Sequence, residues 1–169
     1  EFGDVTILSD KELRGFAAGD ALAGPTTAMV PDDDGYGTQW YLSNPNAALG
    51  GVDIDIETVW DEYSGLGVTL GIIDDGIDYT HADIVGNYDT SIDYDALDGI
   101  LGLGSDDPIS DGLDDFHGTA VAGVMAGSLG GGDIVGVAHG ASLAMFRMGF
   151  GFEASASQTE AVLGQMANV

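Results

Sequence analysis

Two short segments hold the residues best suited to chemistry. Asp74-Asp75-Gly76 closes the run Val68-Thr69-Leu70-Gly71-Ile72-Ile73, and His117-Gly118-Thr119 opens the small-residue stretch Ala120-Val121-Ala122-Gly123. The first run is almost continuously apolar and β-branched, which predicts a parallel strand covered on both faces. A carboxylate at the carboxyl end of such a strand stands where α/β proteins place their clefts. Buried without a partner, Asp74 would carry a large desolvation penalty, and an imidazole N–H is its natural partner. His117, at a predicted helix start, is the candidate. Such a pair moves protons, the carboxylate fixing the ring and the ring acting as base or acid. A helix-capping aspartate and a surface histidine are the plainer alternative.

The elements that must position these residues alternate along the chain. Ile56 to Tyr63 predicts a two-turn helix with Val59, Trp60 and Tyr63 near one face. Val68 to Ile73 is expected to be a central strand, with Ser142 to Met148 as its neighbour or near neighbour. One helix is predicted from His117 through Met125 and another from Ser155 to Met166. This order predicts an α/β fold with a mostly parallel sheet. Residues 86–115 read as a long acidic loop region with a short strand near Ile92 to Asp95. Residues 1–33 read as an irregular lead-in, with a weak helix over Lys11 to Ala23 that Gly15 and Gly19 disfavour. The domain proper is expected over 34–169.

Composition narrows the function. The 169 residues include no cysteine, which removes disulfides and thiol catalysis. Twenty-nine acids face three bases, Lys11, Arg14 and Arg147, for a net charge of −26. That balance argues against nucleic acid as a partner, because phosphate binding needs cations, and it calls for counterions, divalent ones included. Much of the excess also fits a solvated, repulsive surface. The clusters Asp106-Asp107 and Asp111, Asp114 and Asp115 read as such loops, since EF-hand spacing is absent. No apolar run is long enough to span a bilayer, and no secretory leader begins at Glu1. Gly71 and Gly76 do not form a dinucleotide fingerprint and no Walker lysine follows, which sets nucleotide binding aside. An acidic, cysteine-free chain is compatible with a secreted or extracellular bacterial protein, and that is the expected setting.

Ile72-Ile73-Asp74-Asp75-Gly76-Ile77-Asp78 with His81-Ala82-Asp83-Ile84, then His117 to Gly123, then Gly136-Val137-Ala138, resemble in order and spacing the motifs of the subtilisin-like serine proteases. The resemblance runs from about Asp34 to Val169. Gln39-Trp40-Tyr41-Leu42, the Asp74-Asp75 pair and Asp114-Asp115-Phe116-His117 are most similar to the kexin and furin branch. Ala120, where that branch often carries arginine, and His139, where proline commonly follows Gly-Val-Ala, depart from it.

The resemblance implies a subtilisin-like three-layer α/β arrangement, incomplete in this chain, and Ser-His-Asp endopeptidase activity in the parent protein. Asp74 would hold the tautomer of His117, which would act as general base and then general acid. The oxyanion asparagine and the Gly-Thr-Ser-Met-Ala nucleophile motif do not occur among these residues, so the chain alone is expected to be inactive. Its expected partners are the remaining half of the catalytic domain and a peptide or protein substrate with basic residues. Asp75 would favour a basic substrate residue; a solvent-facing turn acid is the alternative. A structural calcium ion is the implied cofactor. Its implied ligands are Asp34 and Asp83 with the backbone of Ser128, Gly130, Gly132 and Ile134; Asp133 would stand in for the asparagine the family often has at Gly130. A noncatalytic acidic calcium-binding or structural module with a protease-like fold is the competing function.

Overall fold

The computed structural model describes residues 29–46, 50–97, 107–110, 116–149 and 156–167. The weak helix expected over Lys11 to Ala23 and the acids at 106, 111, 114 and 115 lie outside these residues. In chain order the main elements are α1 (Glu57–Trp60), β1 (Thr69–Asp74), β2 (Tyr94–Asp95), α2 (His117–Ala126), β3 (Ser142–Arg147) and α3 (Ala156–Met166). The strands form one parallel sheet in the order β1-β3-β2.

Alternating side chains of β3 divide the core, as the two-residue period of a strand requires. Leu143 and Met145 join Ile72 of β1 against Ala122 and Ala126 of α2. Ala144 and Phe146 point the other way, to Ala96 and to Val162 of α3. The result is helix, sheet, helix, the α/β arrangement with a parallel sheet that the element order predicts. Five of the six β3 residues are buried, whereas β1 alternates and leaves Ile73 38% exposed. Among the described residues β3 is the strand paired on both edges, whereas β1, expected to be a central strand, is paired on one. An apolar run reports which faces are covered and carries no information about which edges are paired.

The predicted two-turn helix near Ile56 shrinks to the single turn α1. Ile56 supplies no side-chain cap, and the expected common face splits: Trp60 is buried while Val59 and Tyr63 are exposed. Trp60 instead joins Tyr36, Leu42 and Val135 in a separate cluster, with its indole N–H donating to the Val137 carbonyl at 2.8 Å. Buried Gln39 clasps Val135 from both sides, donating to its carbonyl at 2.8 Å and accepting from its N–H at 3.0 Å. These polar contacts tie the segment before α1 to the loop that follows α2. They bring Asp33 to that loop.

Candidate active site

The site is built on one sharp turn and one helix start. After Asp74 ends β1, the chain reverses at Gly76, whose φ of 138° disfavours any residue with a Cβ. Helix α2 begins at His117 without a capping bond from Phe116. Asp75 supplies the cap from across the chain: its carboxylate accepts from the Gly118 N–H at 2.7 Å and the His117 N–H at 3.2 Å. A carboxylate satisfies the orphan donors there and complements the positive end of the helix dipole. Gly118 allows the approach. A Cβ there would collide with the Gly76 carbonyl oxygen and sit 2.8 Å from Met145 Cε and 3.0 Å from Asp74 Cβ.

This packing brings Asp74 and His117 together. His117 Nδ1 lies 2.9 and 2.8 Å from the two Asp74 carboxylate oxygens. The Asp75 N–H also donates to Asp74 Oδ1, at 2.8 Å, which fixes the carboxylate plane. With a carboxylate at Nδ1, the neutral ring carries its hydrogen on that nitrogen and leaves Nε2 as the basic one. The His117 side chain is 74% exposed against 10% for that of Asp74, so a buried acid orients an open base. The hydrogen bond to Asp74, then the Asp74 charge, and last a smaller effect of Asp75 hold the His117 pKa above its ordinary value. Asp75 itself meets α2 with both oxygens, so its observed work is capping.

A second polar cluster lies where the glycine loop after α2 folds back. Asp83 is 2% exposed and Asp33 7%. Asp33 Oδ1 accepts from the Gly130 N–H at 2.9 Å, while its Oδ2 is buried with no hydrogen-bond partner among the described residues. Asp83 Oδ1 meets the Ile134 N–H at 3.4 Å, and a Cβ at Gly132 would stand 2.5 Å from that oxygen. The Asp83 carbonyl accepts from the Ser128 N–H and hydroxyl at 2.6 and 3.1 Å.

Asp34 and Asp133, both expected to face an ion, are exposed. Hydrogen bonds from the Gly35 N–H to the Asp133 carbonyl and from the Tyr36 N–H to the Asp33 carbonyl turn Asp33 inward instead. Three consecutive aspartates have no periodicity from which spacing could select one; Asp33 is selected by contacts with the distant loop after α2. Among the described residues no three His, Asp or Glu side chains converge, so an ion here would rely on two carboxylates and backbone oxygens.

The Subtilase family profile matches residues 65–168, more than half of the chain. Neuroendocrine convertase 2 of Bos taurus is 37% identical over 126 residues, covering 69% of this chain and 19% of that protein. The Caenorhabditis elegans neuroendocrine convertase 2 is 35% identical over 132 residues, covering 73% of this chain and 19% of its own length. The chain thus spans 19% of the length of these curated relatives. A Pseudoalteromonas arctica protease shares the fold with a TM-score of 0.66 at 22% identity, over 80% of this chain and 43% of that one. The Aeromonas sobria serine protease, solved with its chaperone, gives a TM-score of 0.58 at 24% identity, over 76% of this chain and 22% of that one.

These relatives correct the expectation of a secreted or extracellular bacterial protein. Relatives identical at about a third of the aligned residues include convertases of cattle, humans and nematodes. Acidity and missing cysteines reflect solvation and redox chemistry, which do not track lineage. Among the described residues no helix is long and apolar enough to cross a membrane. With the Asp74 and His117 segments both inside the matched residues, the chain belongs to the subtilase family and spans part of its catalytic domain.

Proposed function

We propose that this chain supplies the acid–base half of a serine endopeptidase. The observation that carries the reading is the 2.8 Å contact between His117 Nδ1 and buried Asp74, on a ring otherwise open to solvent. Nε2 of His117 takes the proton from a serine hydroxyl contributed by the rest of the catalytic domain as that oxygen attacks the peptide carbonyl. Asp74 stabilises the resulting imidazolium, which then protonates the leaving amine. Water hydrolyses the acyl-enzyme through the same base. The preferred substrate carries a basic residue near the scissile bond. Supporting this are the acidic turn at Asp74-Asp75, the net charge of −26 and the resemblance to convertases. Asp75 contributes its charge while it caps α2.

The reading includes a structural calcium ion held by Asp33 and Asp83 with backbone carbonyls of the Ser128–Ile134 loop. The buried, unpartnered Asp33 Oδ2 supports it, because calcium prefers carboxylate and carbonyl oxygens and such an atom is costly to leave bare. When bound, the ion would neutralise the buried carboxylates and stiffen the loop behind α2.

A peptide-library digest tests the function, with the intact parent, this chain and their His117→Ala variants. The intact parent is expected to cleave, to lose activity with His117→Ala and to react with a fluorophosphonate. The chain alone is expected to cleave no faster than its own variant, since lost oxyanion stabilisation alone costs about 2.7–4 kcal/mol. His117-dependent cleavage by the chain alone would show that its nucleophile lies within these residues. An inert, unlabelled parent would favour a noncatalytic module.

A further inference from the structure

We infer that Arg147 is a positioning residue: it fixes the acidic turn from beneath and thereby sets where His117 stands relative to Asp74. The inference rests on the reading of that pair as the acid–base unit.

The sheet register supplies the first observation. Asp74, Arg147 and Asp95 occupy one row across the three strands, at their carboxyl ends. Matched positions of neighbouring strands share a face, so one cation is placed between two acids. Arg147 donates from Nη1 to Asp95 Oδ2 at 3.2 Å and from Nε to the Asp75 carbonyl at 2.9 Å. Asp95 is fully buried and Arg147 is 9% exposed.

The second observation is what Asp75 does with the position it is given. Its carbonyl is held by Arg147, while its carboxylate holds the first two N–H groups of α2, one of them that of His117. A continuous path of bonds therefore runs from Asp95 through Arg147 and Asp75 to the backbone of the base. The path is needed because Gly76, adjacent to the gripped carbonyl, has unusual conformational freedom. A Cβ at Gly76 would stand 3.4 Å from Arg147 Nε, so the guanidinium lies directly against the turn.

The third observation is scarcity. Arg147 is the only Lys or Arg among the described residues of a chain with a net charge of −26. A buried ion pair is weak support for stability, since well-packed apolar replacements are often neutral or better. Its use here is directional: the planar fork bonds a carboxylate and a carbonyl at once, which the point charge of lysine reproduces poorly.

The test is a pH titration of the His117 ring by NMR in this chain, with thermal unfolding alongside. Asp74 and Asp75 are the charges acting on that ring in the folded chain. The double variant Arg147→Met/Asp95→Leu leaves the net charge unchanged and removes the grip. Arg147→Lys keeps the charge and loses the fork, and it carries the test if the double variant does not fold. Both are expected to lower the His117 pKa toward its ordinary value, the double variant more than Arg147→Lys, as the contact with Asp74 loosens. His139, packed against Trp60, is expected not to move. A raised wild-type His117 pKa that stays unchanged in both folded variants overturns the role of Arg147 and leaves the acid–base pair standing. A wild-type His117 that titrates ordinarily and ignores Asp74→Asn overturns the pair and the inference together. In the parent, Arg147→Lys is expected to lower kcat with KM unchanged; a change in KM alone contradicts a positioning role.

Discussion

Gly118→Ala adds one methyl group at the closest approach of α2 to the acidic turn. Helix propensity alone favours the change by up to about 1 kcal/mol. Packing opposes it. The new Cβ would meet the Gly76 carbonyl, Met145 Cε at 2.8 Å and Asp74 Cβ at 3.0 Å. Met145 is flexible and can yield, but the carbonyl is backbone, held in a turn that Asp75 and Arg147 both grip. Overpacking against such a wall costs about 1–3 kcal/mol. The expected net loss is up to about 2 kcal/mol, or up to about 8 °C in Tm for a chain of this size. Gly164→Ala in α3 is the control, because a Cβ there would meet nothing within 4 Å. It is expected to stabilise by about 0.5–1 kcal/mol. Thermal and urea unfolding of both variants against wild type decide the matter. A Gly118→Ala protein as stable as the Gly164→Ala protein would refute the claim that α2 is seated on the turn by backbone contact.

Calcium is expected to raise the Tm relative to EDTA, by linkage worth about 2.7 kcal/mol at one hundred times its Kd. Asp33→Asn should abolish that rise and Asp34→Asn should leave it; the opposite pattern would restore Asp34 as the ligand. Half-buried His139 packs edge-on against Trp60, and burial holds its pKa below the ordinary value. Its neutral ring therefore favours the fold at pH above about 6.5, and that stability is lost as pH falls from there through the folded-state value. Replacing it, as in His139→Phe, should flatten this part of the stability–pH curve, and an unchanged slope would show that other groups set it.

The legible parts of the sequence were those where one-dimensional pattern and three-dimensional role coincide. The apolar run ending at Asp74 and the small residues after His117 gave a strand and a helix, because side-chain alternation and helix-packing faces are written locally. Asp74 and His117 were found by residue type and position at element ends. Edge pairing was not legible, and among the described residues β3, not β1, is the strand paired on both sides. The inward carboxylate was missed among Asp32, Asp33 and Asp34, because the Gln39 clasp and the Gly35 bond that select Asp33 join residues far apart in the chain. In the sequence Arg147 is one of three bases with no motif around it. Its place between Asp74 and Asp95 exists only once three strands are set in register.

The most direct measurement of the acid–base reading is the pH dependence of kcat/KM for the intact parent and its Asp74→Asn variant on a basic peptide. Since Asp74 holds the His117 pKa up, the acid limb of the profile should fall above pH 6.5, where the base loses its proton. Asp74→Asn should lower the rate by about four orders of magnitude, the size seen when an orienting aspartate is neutralised in such a triad. A variant that keeps wild-type activity with an unmoved acid limb would contradict the assignment of Asp74 and His117 as orienter and base.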